Sequence, residues 1–451
     1  MLQAAAIITS GIWPLSTLSR SIYRSAIRAF GRLCSGYPEI EAAYVRNTFA
    51  NGEWIAGSSD IDLTIILRSD LNRQVEFQFL TVFGKRYSNL VRRFPMIGEL
   101  EVLSERELPA FQSCCVPTRG DLVPALNPFL VYGRDIMSQS AMSVPPRSGI
   151  RALNDALWLY QEQFLPSLAP PRTFLRRHFS ARLGRKVFRL CAMDSGTLAA
   201  NPKDLLLKDS ELLVARVHHA MERTAKLLMA GETQEFDRNN TPPMGPFFPV
   251  RSANVESVCT NYEGRAFVIL KDNLDLNAFA NAVCFDQPFW CTLKQRPVFL
   301  SRSLAIYYLR FAQPFYLAGL RRAGTIAFGA NFLAQIPEPT DEALRGALLD
   351  QVRNAILTSR DICLFQTDGA VDTTDLELIL QRLTLTLMAV RGPLASRSYD
   401  NLIALSESQY PEEYKTIERI RSLTAEQRPW EAFCLFRSII DSIVQAMPTI
   451  N

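Results

Sequence analysis

Apolar positions recur every three or four residues through Ile22, Tyr23, Ala26, Ile27, Phe30 and Leu33. Arg20, Arg24, Arg28 and Arg32 fall between them, so the pattern predicts an amphipathic helix with a basic, solvated side. Two short β-type runs follow, Leu63–Leu67 (LTIIL) and Leu100–Leu103 (LEVL), and residues 150–235 then return to helical spacing. Beyond residue 250 one run, Ala266–Leu270, reads as a strand. Helical candidates succeed it at Ser303–Leu320, Thr340–Leu357, Asp375–Val390 and Trp430–Met447. Proline-rich stretches at 143–149, 168–172 and 238–249 interrupt these patterns. The expected fold class is α/β (α+β): an N-terminal domain with a small mixed sheet over 1–145, a helical domain over 146–240, and a mainly helical C-terminal region over 241–451. A chain of 451 residues exceeds what one core usually serves, which agrees with two or three domains. No repeat of fixed period and no low-complexity tract interrupts the chain.

Composition narrows the class. Hydrophobic residues at 48% and charged residues at 21% exclude a disordered or fibrous chain. No run reaches the ~18–20 apolar residues that span a bilayer, so no membrane partner is expected. The segment before Pro38 lacks acids, as organellar transit peptides do, but its helical spacing favours an amphipathic lead-in to the first domain. Nine scattered cysteines without a Cys-x-x-Cys pair fit a reducing cytoplasm, and three histidines offer little for zinc. A net charge of +4 does not favour a dedicated nucleic-acid binder.

The chemistry-bearing segment runs from Tyr44 to Leu67, where the turn Gly57-Ser58-Ser59 leads into Asp60-Ile61-Asp62 and an apolar run. Along a strand, residues i and i+2 share a face, so Asp60 and Asp62 set two carboxylates side by side. Such a pair repels itself unless a divalent cation lies between, and hard oxygen ligands suit Mg²⁺ or Mn²⁺. Glu99 and Glu101 share a face of the second β-type run, and either supplies a third acid if the two runs are neighbours. The catalytic candidates are therefore Asp60, Asp62, Glu99 and Glu101, with Asp60, Asp62 and Glu99 as metal ligands. The helical segment Arg172–Met193 is rich in Arg and Lys, either as a solvated basic face or as a source of phosphate contacts. Cys114, Cys115 and the three histidines read as structural.

Residues 20–135 resemble the nucleotidyltransferase superfamily typified by DNA polymerase beta, through Ser59-Asp60-Ile61-Asp62-Leu63 and the preceding strand and turn Tyr44–Gly52. The resemblance implies a metal-dependent transfer of a nucleoside monophosphate from a nucleoside triphosphate, such as ATP, to a small molecule, a protein or an RNA end, with release of pyrophosphate. It places Asn47 and Thr48 where the family has its phosphate-holding Gly-Ser, an Asn for Gly departure. Gly57, Ser58, Ser59 and, on the later basic helix, Lys186 or Arg185 join them as nucleotide-binding candidates. Two other expectations stay open: a catalytically inactive scaffold with this fold, for which Asn47 speaks, and an RNA-modifying enzyme, which needs a basic track.

Overall fold

The computed structural model describes residues 15–46, 59–114, 128–137, 148–164, 174–192, 210–229, 254–260, 266–275, 297–314, 324–329, 331–364, 373–394, 399–424 and 426–447, with a few single positions between. The chain divides into two compact units, 1–146 with 348–395 and 401–451, and 147–347 with 396–400. No helix among the described residues is long and apolar enough to cross a membrane.

The first unit opens with α1 (Leu15–Cys34), in which Tyr23, Ala26, Ile27, Phe30 and Cys34 are buried while Arg20, Arg24 and Arg28 face water. Strands β1 (Ile40–Arg46) and β2 (Ile61–Leu67) follow, then α2 (Arg73–Arg93), β3 (Ile97–Ser104), a 3-10 turn at Glu105–Glu107, α3 (Leu108–Ser113) and β4 (Phe129–Gly133). The sheet is mixed, in the order β3-β2-β1-β4: β1 runs antiparallel to β2 and β4, while β2 and β3 are parallel. A parallel pair needs a crossover, which α2 provides. Ile61, Leu63, Ile65 and Leu67 point into one core with α1 and α2, so the period of two sends Asp62, Thr64 and Ile66 to the other face. Asn72 caps α2, its side chain accepting from the Val75 N–H at 2.9 Å.

The second unit carries α4 (Ser148–Leu159), α5 (Phe174–Ala192), α6 (Ser210–Leu228), β5 (Val255–Thr260), β6 (Ala266–Leu270), β7 (Val298–Ser301), α7 (Arg302–Tyr307) and β8 (Thr325–Gly329). A single strand was expected beyond residue 250, in a mainly helical region; a four-stranded mixed sheet, β7-β6-β5-β8, is found. β6 and β7 are buried throughout and show no alternation, and β7 is four residues long, so neither length nor period distinguished it from a piece of helix. His218 on α6 is fully buried: its Nε2 accepts from the Ser301 N–H at 3.1 Å, which leaves Nδ1 to carry the proton toward Tyr160 Oη at 3.3 Å. Burial, with a smaller contribution from His219, pushes its pKa down to about 3, so the ring is neutral and structural.

The chain continues through α8 (Asp341–Leu349) into α9 (Val352–Leu364), α10 (Thr373–Arg391), α11 (Tyr399–Gln409), α12 (Pro411–Ser422) and α13 (Arg428–Ala446). Cys363 and Leu364 of α9 and Phe433 of α13 enter the same core as α1, α2 and the first sheet. A carboxylate–guanidinium network binds them there as well. Arg360 is fully buried and donates to Glu76 on α2 at 2.7 Å and to both oxygens of Glu107 at 2.6 and 3.2 Å. Arg437, also fully buried, pairs with Glu107 and reaches Asp441 at 3.2 Å. Glu107 in turn accepts from the Ser104 N–H at 2.8 Å, closing the turn after β3.

Candidate functional site

The sequence pattern puts both acids on one strand; in the structure Asp62 lies on β2 and Asp60 just before it, and the neighbouring strand brings both against Gly98. Ile61 pairs with Ile97 and Leu63 with Leu100, so Gly98 and Glu99 together oppose Asp62 in a bulge. A Cβ placed on Gly98 would lie 2.9 Å from Asp60 Cβ, 3.0 Å from Asp62 Oδ1 and 3.2 Å from Asp60 Oδ2. Both carboxylates thus pack against Gly98, where any side chain would crowd them. Asp60 is exposed and Asp62 is buried at the end of β2. Two buried tyrosines fix the backbone on either side: Tyr23 of α1 donates to the Ser59 carbonyl at 2.7 Å, and Tyr87 of α2 donates to the Gly98 carbonyl at 3.2 Å. Burial, reinforced by the Asp62 charge, raises the Tyr87 pKa, so this hydroxyl keeps its proton and acts as a donor.

The two glutamates have different surroundings. Glu99, 58% exposed, has one oxygen 3.5 Å from Arg46 Nη2. Glu101 is 1% exposed on the face of Asp62; it accepts from Thr64 Oγ1 at 3.3 Å, pairs with Arg46 at 3.3 Å, and pairs with Arg353 of α9. Arg46 is the cross-strand partner of Asp62. Arg353 also stacks over the Phe111 ring, 5.3 Å from its centroid. Glu101 therefore holds two guanidiniums in place and is committed to them. Among the described residues, no group of three or more His, Cys, Asp or Glu is arranged to hold a metal ion.

No family model, no curated protein and no solved structure matches this chain.

Of the other expected residues, Asn47, Thr48, Gly57 and Ser58 lie outside the described residues, as does the side chain of Arg185. Ser59 is buried beside Asp60, and Lys186 is half-buried on α5 of the second unit. Arg46, Arg353 and Asp361 escaped the sequence reading. Asp361, half-buried on α9, has its pKa pushed up to about 7 by burial and by the Glu99 and Glu101 carboxylates, against the pull of Arg360 and Arg353. Arg46 carried a detectable signal, a lone cation ending an apolar strand opposite a carboxylate. Arg353 and Asp361 carried none, because what brings them to β3 is the fold of a segment some 250 residues away.

Proposed function

We propose that the first unit is a metal-dependent nucleotidyltransferase centre that moves a nucleoside monophosphate from a nucleoside triphosphate to an acceptor hydroxyl, releasing pyrophosphate. The observation that carries this reading is the convergence of Asp60 and Asp62 on Gly98 at the end of β2. Two carboxylates held together against Gly98 at one end of the sheet suit a Mg²⁺ or Mn²⁺ ion, which when bound would neutralise phosphate charge and ease deprotonation of the acceptor. Asp60 and Asp62 are the residues that would hold it. Glu99, the more accessible of the two glutamates, is the one free to turn toward a loaded site. Glu101 does different work here: it pairs with the buried guanidiniums of Arg46 and Arg353 and holds them on the face of Asp62. Tyr23 and Tyr87 orient the backbone that presents the acids.

The test is calorimetric titration of ATP, GTP, CTP and UTP with and without Mg²⁺, on the wild type and on Asp60→Ala/Asp62→Ala. Binding that needs the metal and disappears in the double variant supports a transferase and identifies the donor for an acceptor search. Binding indifferent to both would favour a second reading, a scaffold of this architecture without catalysis. The observation behind that reading is the engagement of Glu101 by Arg46 and Arg353, which removes one acid from a metal cluster.

A further inference from the structure

The two sheets repeat one another beyond their strand order. β1 pairs with β2 from Ile40↔Leu67 to Arg46↔Asp62, with a register shift between Ile40 and Ala42; β5 pairs with β6 from Val255↔Leu270 to Thr260↔Ala266, one pair shorter, with its shift at the equivalent step between Val255 and Ser257. On the other side, β1 meets β4 with a shift between Ala43 and Tyr44, and β5 meets β8 with a shift at the equivalent step, Val258 to Cys259. Each fourth strand ends in a glycine with positive φ, 84° at Gly133 and 74° at Gly329, and each abuts the carbonyl of a glutamate, Glu41 or Glu256. The residue after the second strand returns to the residue before the first in both, Arg68 N–H to Glu39 O at 3.0 Å and Lys271 N–H to Asn254 O at 2.9 Å. The crossovers to the parallel strand span 68–96 and 271–297, and the returns to the fourth strand span 105–128 and 302–324. Strand order alone requires none of these coincidences of register, bulge and glycine.

What differs is the chemistry. The first hairpin connection runs over 47–60 and holds Gly52, Gly57, Ser58 and Ser59; the second runs only over 261–265. In sequence, the residues five and seven positions before Leu270 are Arg265 and Glu263, where those before Leu67 are Asp62 and Asp60; Arg265 and Glu263 lie outside the described residues. Within the described strands, Phe267 stands for Thr64 and Val298 for Glu101, and both are buried, at 2% and 1% exposure. The paired positions that hold Thr64 and Glu101 in the first sheet are thus apolar in the second.

We propose that the chain contains two copies of one fold and that the second copy has no cation–nucleotide site, so each chain binds one nucleotide, at Asp60 and Asp62. A sequence with one acid and one cation at this spacing offers no pair of carboxylates to share a divalent ion. This inference rests on the nucleotidyltransferase reading above. Its test is equilibrium dialysis of the full chain against each of ATP, GTP, CTP and UTP with Mn²⁺, using the wild type, Asp60→Asn/Asp62→Asn and Glu263→Gln/Arg265→Ala. The expected result is one nucleotide per chain in the wild type and in the second variant, and none in the first. Two nucleotides per wild-type chain, a count that needs no variant, would overturn the single-site assignment, as would binding that survives the Asp60/Asp62 change but is lost in the Glu263/Arg265 variant. A wild type that binds none of the four refutes the transferase reading underneath, and the inference with it.

Discussion

Replacing Glu107 by Gln removes one charge from a place that water does not reach. The carboxylate is fully buried, takes both forks of Arg360 at 2.6 and 3.2 Å, pairs with Arg437, and accepts from the Ser104 N–H at 2.8 Å. Burial is the largest single influence on its pKa and acts upward. The guanidiniums of Arg360 and Arg437, with the hydrogen bonds from Arg360 and Ser104, together overcome it and bring the pKa from 4.5 down to about 2. At 1.36 kcal/mol per pKa unit this drop amounts to about 3 kcal/mol of stability. Removing one partner of a buried ion pair costs about 3–5 kcal/mol by an independent route, so the two estimates meet. The sign of the pH dependence follows. A depressed carboxylate contributes fully above its unfolded value of 4.5 and loses that contribution as pH falls toward 2. Glu107→Gln should therefore trail the wild type by about 3 kcal/mol at pH 7, and by roughly half of that or less near pH 3. Urea unfolding at both pH values would measure it, following Trp430, which packs on Phe77 and Phe433 in this unit. A deficit below about 1 kcal/mol at pH 7, or one that does not change with pH, would refute the reasoning.

Gly98→Ala places a methyl 2.9 Å from Asp60 Cβ and 3.0 Å from Asp62 Oδ1; Mn²⁺ affinity, read by paramagnetic resonance, should fall about tenfold or more, equivalent to ~1.4 kcal/mol, with the fold retained by circular dichroism. Unchanged affinity would mean that the two acids do not act together. Asp361→Asn should stabilise the chain at pH 8 relative to the wild type and not at pH 4. Its folded pKa of about 7 stands above the ordinary 3.8, so the wild type loses stability, on the order of 2–4 kcal/mol, as pH rises through that interval; parallel pH–stability curves for the two proteins would contradict this. Arg46→Met removes the cation that faces Asp62 across the hairpin and touches Glu99 and Glu101, so thermal stability should fall by about 3 kcal/mol. Mn²⁺ affinity should rise at the same time; stability and affinity falling together would show that Arg46 shapes the metal site and does not compete with its ion.

The sequence patterns disclose those elements whose own residues carry a period. α1 is legible from Tyr23, Ala26, Ile27 and Phe30, and β2 from the alternation that turns Asp62 away from Ile61 and Leu63. The acid pair is legible for the same reason, since its spacing is its geometry. Of the second sheet only β6 is legible, as the run Ala266–Leu270; β7 is four residues long and buried on both faces, with no polar side to alternate with. The kinship of the two sheets is hidden too. The residues common to equivalent positions, such as Glu41 and Glu256, Leu67 and Leu270, Ser104 and Ser301, and Gly133 and Gly329, are few and widely spaced. They satisfy the backbone and leave no continuous motif. The bulge at Gly98, finally, depends on pairing between strands that no local pattern reports.

The discontinuity of the first unit has an electrostatic reason. Glu76, Glu101 and Glu107 lie buried on the N-terminal elements, and Arg353, Arg360 and Arg437, which pair with them, arrive on α9 and α13 after the chain has passed through residues 147–347 of the second unit. Burying three carboxylates without those partners would cost several kcal/mol each, more than the marginal stability of a domain of this size can carry. Residues 1–146 are therefore not a separable domain in energetic terms. The same helices reach the candidate site. Arg353 pairs with Glu101, which stands opposite Thr64 on the face that Asp62 shares, so a residue from the far end of the chain helps to set that face. In the second sheet Val298 stands where Glu101 does, and no distant arginine is required there. The long-range ion pairs thus track the sheet that bears the acids, as expected if the C-terminal helices serve the first site as well as its stability.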